Sequence, residues 1–188
     1  MNESSSKSGI KISSTVNGVI IMILSAIIWF YTGTALIFLI YLINTILLIS
    51  GIARFNNSIT NKELSNIGKT IKFLSGIILI FLAITIFLFT LDNPSFSTET
   101  LIFLLIVGLL VIGVARFGSG AVNKKFIMWY RIFLIVIGLI TIILNIIPIL
   151  NQTIDQTIVI YLISISLFIN GFTRFLYGFT GEEKFKTD

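Results

Sequence analysis

One short stretch occurs three times in this chain, and that repeat limits the fold more than any other feature. It reads Gly51-Ile52-Ala53-Arg54-Phe55, then Gly113-Val114-Ala115-Arg116-Phe117, then Gly171-Phe172-Thr173-Arg174-Phe175. The copies lie 62 residues apart (51 to 113) and 58 apart (113 to 171). Each closes a long apolar run, and each is followed by polar or basic residues. A unit that recurs at a near-constant period is one supersecondary piece used again, so the chain should consist of three equivalent parts.

The size of one part follows from its charges. Between Lys11 and Arg54 lie 42 residues with no charge (12 to 53). As a single helix they would reach about 60 Å, twice the roughly 30 Å of bilayer hydrocarbon. The run therefore holds two spans, broken at Tyr31-Thr32-Gly33-Thr34, where a glycine and two threonines supply turn chemistry. Trp29, Phe30 and Tyr31 at the break suit an interfacial aromatic belt. The same reading places helices at about 16–31, 35–53, 70–91, 99–117, 126–149 and 155–177. The turns are at Asp92-Asn93-Pro94-Ser95, Gly118-Ser119-Gly120 and Asn151 to Asp155. The expected fold is all-α: a polytopic membrane protein with six transmembrane helices as three repeated helical hairpins (16–55, 70–117 and 126–175). A polar, disordered cytoplasmic tail over 1–15 precedes the transmembrane domain of 16–177, and a second tail covers 178–188. A cleavable signal peptide is the other reading of the basic start, but cleavage would remove the first hairpin.

Composition agrees. The chain is 56% hydrophobic and 11% charged with a mean hydropathy of +1.05, against about 25% charged residues in soluble domains. Lipid is its solvent. The abundance of Ile and Asn reads as an AT-rich genome. There is no Cys and no His, which removes disulfides, thiolate chemistry and the commonest metal ligand. The net charge of +5 does not call for nucleic acid, because in a membrane protein the placement of charge carries the information. All 13 Lys and Arg fall in the first tail, the 54–72 and 116–131 regions and the C-terminal region. The three opposite loops carry only Asp92, Glu99 and Asp155. The positive-inside rule then puts both termini in the cytoplasm of a multi-pass plasma-membrane protein.

Six short spans in three hairpins, each closed by Gly-x-x-Arg-aromatic, resemble the HdeD family of short-repeat membrane proteins over residues 16–177. The resemblance implies a link to acid resistance and general stress without an established chemical activity. It carries over to Gly51, Arg54, Gly113, Arg116, Gly171 and Arg174. Two readings stay open: a stand-alone, self-associating stress protein, or an accessory subunit of a larger membrane complex. A channel for small neutral solutes ranks behind both.

No nucleophile–base pair, metal cluster or phosphate-cradling glycine loop is visible, so neither an enzyme nor a cofactor is expected. Gly51, Gly76, Gly113, Gly138 and Gly171 are candidate helix-packing positions. Gly18 and Ser25 match Gly76 and Ala83; around Gly138 the match ends, since Arg131 stands seven residues before it. Asn44, Thr45, Thr85, Thr141, Asn145, Ser164, Ser166 and Asn170 lie inside the spans, as interhelical hydrogen bonds or as a polar path. Arg54, Arg116 and Arg174 have two readings as well. Each anchors the last turn of its helix against lipid phosphate, or the three converge on a pseudo-threefold axis as an anion or lipid-headgroup site.

Overall fold

The computed structural model describes residues 3–30, 36–60, 65–92, 98–124, 126–151 and 154–180. The turn at 31–35, the loop with Pro94, the residues Lys62, Glu63 and Lys125 and the tail after 180 lie outside the described residues. Six helices are present among those described: α1 Glu3–Phe30, α2 Leu36–Thr60, α3 Asn66–Asp92, α4 Thr98–Val122, α5 Met128–Leu150 and α6 Gln156–Thr180.

The helices outrun their apolar segments. α1 begins at Glu3, where a disordered tail over 1–15 was expected, because extending a helix that the apolar part has already nucleated costs little. α2 and α4 pass the Arg-Phe pair and continue to Thr60 and Val122. Short hydroxyls within this extension stay satisfied by bonding the turn behind them. Ser58 Oγ donates to Phe55 O at 2.6 Å, Thr60 Oγ1 to Asn56 O at 2.8 Å and Ser119 Oγ to Ala115 O at 2.6 Å. α3 starts at Asn66, earlier than 70, where Ser65 Oγ accepts the Gly68 N–H at 3.1 Å as an N-cap.

The tight helix pairs are not the expected hairpins. The closest packing is α2 on α3, α4 on α5 and α6 back on α1, while α1 and α2 barely touch. Glycine decides this. A Cβ on Gly76 would lie 2.8 Å from Phe55 N, one on Gly138 2.6 Å from Phe117 N, and one on Gly18 2.4 Å from Phe175 N. In each case a glycine of an odd helix sits on the backbone of a motif phenylalanine in an even helix. The motif glycines meet them from the other side: Gly51 lies against Gly76 O, Gly113 against Gly138 O and Gly171 against Gly18 O. Backbones approach this closely only where both helices lack side chains, the usual basis of association in lipid. The repeat therefore pairs across its own boundaries and closes into a ring. The match also continues after Gly138: seven residues on, Asn145 takes the place of Ser25 and Ala83, and all three are buried.

Inside the ring, α2, α4 and α6 line a pseudo-threefold axis. Ile40, Ile102 and Ile160 form one layer, and Ile43, Leu105 and Ile163 the next. Leu47, Leu109 and Leu167 follow, and then Ser50, Ile112 and Asn170, all buried. The steps alternate between three and four residues, as in a helix seam. The outer helices do the opposite. Leu74, Ile77, Phe81, Ile84 and Leu88 are exposed on α3, and Trp129, Ile132, Val136, Leu139 and Ile143 on α5. Phe81 is 69% exposed while Asn170 is fully buried, a polarity that only a hydrocarbon solvent favours. Segments Asn66–Leu91, Glu99–Val122, Met128–Leu150 and Gln156–Leu176 are long and apolar enough to cross a bilayer, with Thr15–Phe30 as a shorter apolar helix. The chain is an all-α, multi-pass membrane protein.

Candidate functional site

The seam ends on arginine. Four residues past Ser50, Ile112 and Asn170 stand Arg54, Arg116 and Arg174, on the axis and not in the last turn of any helix. The expected dipole-capping geometry is therefore absent at all three. Each instead reaches across to the next inner helix. Arg54 Nη2 donates to Ile112 O at 3.3 Å, Arg116 Nη2 to Asn170 O at 3.0 Å and Arg174 Nη2 to Ser50 O at 3.3 Å. Each acceptor is the carbonyl four residues before the next arginine, so the three bonds run α2 to α4 to α6 to α2. Such a carbonyl already takes its own helix bond, and its second lone pair accepts the guanidinium. Arg116 also donates to the side-chain acceptor Asn170 Oδ1.

The three arginines line one cleft of about 120 Å³ with Ala53, Asn57, Lys72, Ser119, Phe126, Tyr130, Leu134 and Thr173. That is room for a few waters, at roughly 30 Å³ each. The described residues lining it include four cationic side chains and no Asp or Glu. Arg116 is 6% exposed, and its Nη1 has no hydrogen-bond partner; Arg54 Nε is likewise buried and unpartnered. A guanidinium carries five N–H donors in a fixed fork, so the ring bonds leave donors over. The arginines thus crown the seam as a cup whose described lining carries cations and no carboxylate.

The floor of the cup is closed. Below the arginines comes the Ser50, Ile112 and Asn170 layer, then three aliphatic layers. Among the interior polar residues, Asn44 Nδ2 donates to Ala83 O, Ser164 Oγ to Ser25 O and Asn145 Nδ2 to Ser166 Oγ, all between helices. Thr45 and Thr85 bond only their own helices. Arg131 has a different role from the motif arginines: its Nε and Nη2 take the terminal carbonyls Gly120 O and Ala121 O of α4. At the opposite end, Asp155 Oδ1 accepts the Thr157 N–H at 2.7 Å, which holds its carboxyl below the usual range. Among the described residues no His, Cys, Asp or Glu group is placed to hold a metal ion.

Sequence reasoning singled out the three arginines and the motif glycines. It did not assemble Lys72, Asn57, Tyr130 and Asn170 around them. The signal was the three-four spacing from Ile40, Ile102 and Ile160 down to the arginines, which marks all three as axial.

Fold and site together define a polytopic membrane protein assembled from an internal helical repeat. Residues 16–89 match the family model described as a short repeat of unknown function (DUF308). The matched span takes in the apolar part of α1, all of α2 and most of α3, and so one complete Gly-x-x-Arg-Phe unit with the glycine pair that seats it. No curated protein and no solved structure matches the chain.

Proposed function

We propose that this chain is a six-span protein of the plasma membrane whose basic end faces the cytoplasm and binds an anionic group in the arginine cup. One observation carries the reading: three guanidinium groups from three repeats share one cleft, with buried donors unpartnered and no acidic residue among the described lining. Removing each charge from water costs roughly several kcal/mol, and a bound anion offsets that cost. The orientation rests on the basic residues, which gather at the cup end. The three aliphatic layers below the cup oppose a neutral-solute conduit along the axis. Exposed apolar stripes on both α3 and α5 favour lipid on all sides over a single face for a larger partner. We read the cup as a binding site, because its lining brings cationic side chains together. A role in acid or general stress of the HdeD type is the biological setting, and the Gly-x-x-Arg-aromatic repeat is its support.

Native mass spectrometry of the detergent-purified protein tests the reading. The wild type should retain anionic phospholipid or another anion. A triple Arg54→Lys, Arg116→Lys, Arg174→Lys variant keeps the charge but not the fork and should lose it. Equal retention, with both proteins folded by circular dichroism, would end the proposal.

A further inference from the structure

We infer that a cleft at the end of the bundle opposite the arginines is a second site, one that takes an organic ammonium ion with an apolar tail. It is independent of the arginine cup and lies where the repeat breaks. Ten residues after the paired glycines Gly18, Gly76 and Gly138 stand Ile28, Ile86 and Pro148 (18 to 28, 76 to 86, 138 to 148). Ile28 and Ile86 are fully buried. The next residues along are Trp29, Phe87 and Ile149, and ten residues before the motif glycines stand Tyr41, Phe103 and Tyr161 (41 to 51, 103 to 113, 161 to 171). In two of the three close helix pairs these positions hold an aromatic contact. Tyr41 meets Phe87 with ring centroids 6.4 Å apart, and Tyr161 meets Trp29 at 4.8 Å. The third pair, α4 with α5, has Phe103, Ile149 and Pro148 at the same positions. A proline replaces the buried isoleucine there and an isoleucine replaces the second ring, and all three residues line a cleft of about 370 Å³.

The lining selects the ligand. Small-molecule sites measure roughly 300–1,000 Å³ and are mostly apolar with a few placed polar groups. Here Ile102 and Ile106 of α4, Ile149 of α5 and Val159 of α6 supply the apolar wall. Glu99 is the one charged residue in the described lining, and its counterparts in the other repeats, Ile37 and Thr157, carry no charge. It is exposed in the first turn of α4 and makes no ion pair among the described residues. Glu99 and Phe103 stand four residues apart and so share one face of α4. Phe103 is 50% exposed, and no other ring packs on it among the described residues. A carboxylate one turn from an unstacked ring offers an ammonium group both an ion pair and an aromatic face.

Other ligand classes fit less well. A calcium ion takes roughly six to eight oxygen ligands, and this lining brings a single carboxylate. An anion meets Asp92, Glu99 and Asp155 at this end, with no Lys or Arg in the three loops there. A tail is accommodated because the apolar wall runs inward. Ile106 lies seven residues along α4 from Glu99 (99 to 106), about 10 Å at 1.5 Å per residue.

The experiment places the full chain in nanodiscs of zwitterionic lipid, with empty nanodiscs as the blank. Calorimetric titration compares hexylammonium, hexanol and hexanoate, which share a tail and differ in the charge of the head. Losing one charge-assisted contact corresponds to roughly tenfold or more in affinity. Hexylammonium should therefore bind at least about tenfold more tightly than hexanol, and hexanoate more weakly still. Glu99→Gln changes an exposed side chain and should bring hexylammonium down to the affinity of hexanol. A double variant, Pro148→Ile with Ile149→Phe, restores the residues of the α2–α3 pair. It should fill the cleft and abolish binding of hexylammonium and hexanol alike, with no loss of thermal stability. Hexanol binding as tightly as hexylammonium, or Glu99→Gln binding as the wild type does, overturns the ammonium assignment. Undiminished binding in the folded double variant overturns the cleft as the site. Should that variant fail to fold, the head-group series and Glu99→Gln decide alone. No binding of hexylammonium to the wild type overturns the whole inference and leaves the arginine cup untouched.

Discussion

A glycine in this bundle matters only where another backbone lies behind it. At Gly138 the atom behind is Phe117 N, which has nowhere to go. At Gly118 the nearest atom is Ile71 Cδ1 at 3.2 Å, the free end of a flexible side chain. Gly138→Ala should thus lower stability by roughly 1–3 kcal/mol in reversible denaturation from mixed micelles, and Gly118→Ala should stay within about 0.5 kcal/mol. Equal effects would remove the close approach from the account. The same reasoning separates neighbours on α4. Gly113→Leu drives into Ile142 Cγ1 at 2.9 Å and Gly138 O at 3.2 Å, whereas Val114 is 58% exposed and Val114→Phe should leave the melting temperature unchanged. Leu110, by contrast, packs against the core.

The elements show what the sequence could and could not disclose. The apolar runs, the repeated motif and the basic ends were legible, because each is a local property of a stretch. The extents of α2 and α4 were not, because Ser58, Thr60 and Ser119 look like loop residues and yet bond back into their own helices. Partner choice was hidden for a different reason. A short turn makes neighbours of α1 and α2 in sequence, but Gly18 fits only the Gly171 region of α6. The arginine layer was half legible: the repeat allowed the three arginines either to anchor separately or to converge on one axis, and the ring of the structure brings them together. Asp155 supplies a check at element scale. Its carboxylate caps α6 through the Thr157 N–H, which depresses its pKa below the ordinary 3.8. A depressed acid contributes stability above its unfolded pKa and loses it as pH falls through the folded one. The Thr157 amide resonance should titrate with a midpoint below 3.8; a midpoint at or above that value would mean the cap is not formed.

For the whole molecule, orientation and convergence are separate claims. Thr60 and Gln156 are exposed at opposite ends of the bundle, and the chain has no cysteine of its own. Thr60→Cys should react with a membrane-impermeant maleimide only after the inner face is opened, and Gln156→Cys in intact cells; labelling of both from one side would contradict the topology. Convergence is the central claim, and it states that three arginines from three repeats form one site. Its most direct measurement is the thermal stabilisation by a saturating anion, with inorganic phosphate and an anionic phospholipid each tested, of the wild type, of Arg54→Gln, Arg116→Gln and Arg174→Gln singly, and of the triple variant. A ligand that binds only the folded state stabilises it by mass action. The account predicts a clear shift in the wild type, loss of most of it in every single variant whichever repeat is changed, and none in the triple. A shift that survives in the triple variant, or that depends on one arginine and ignores the other two, would contradict it.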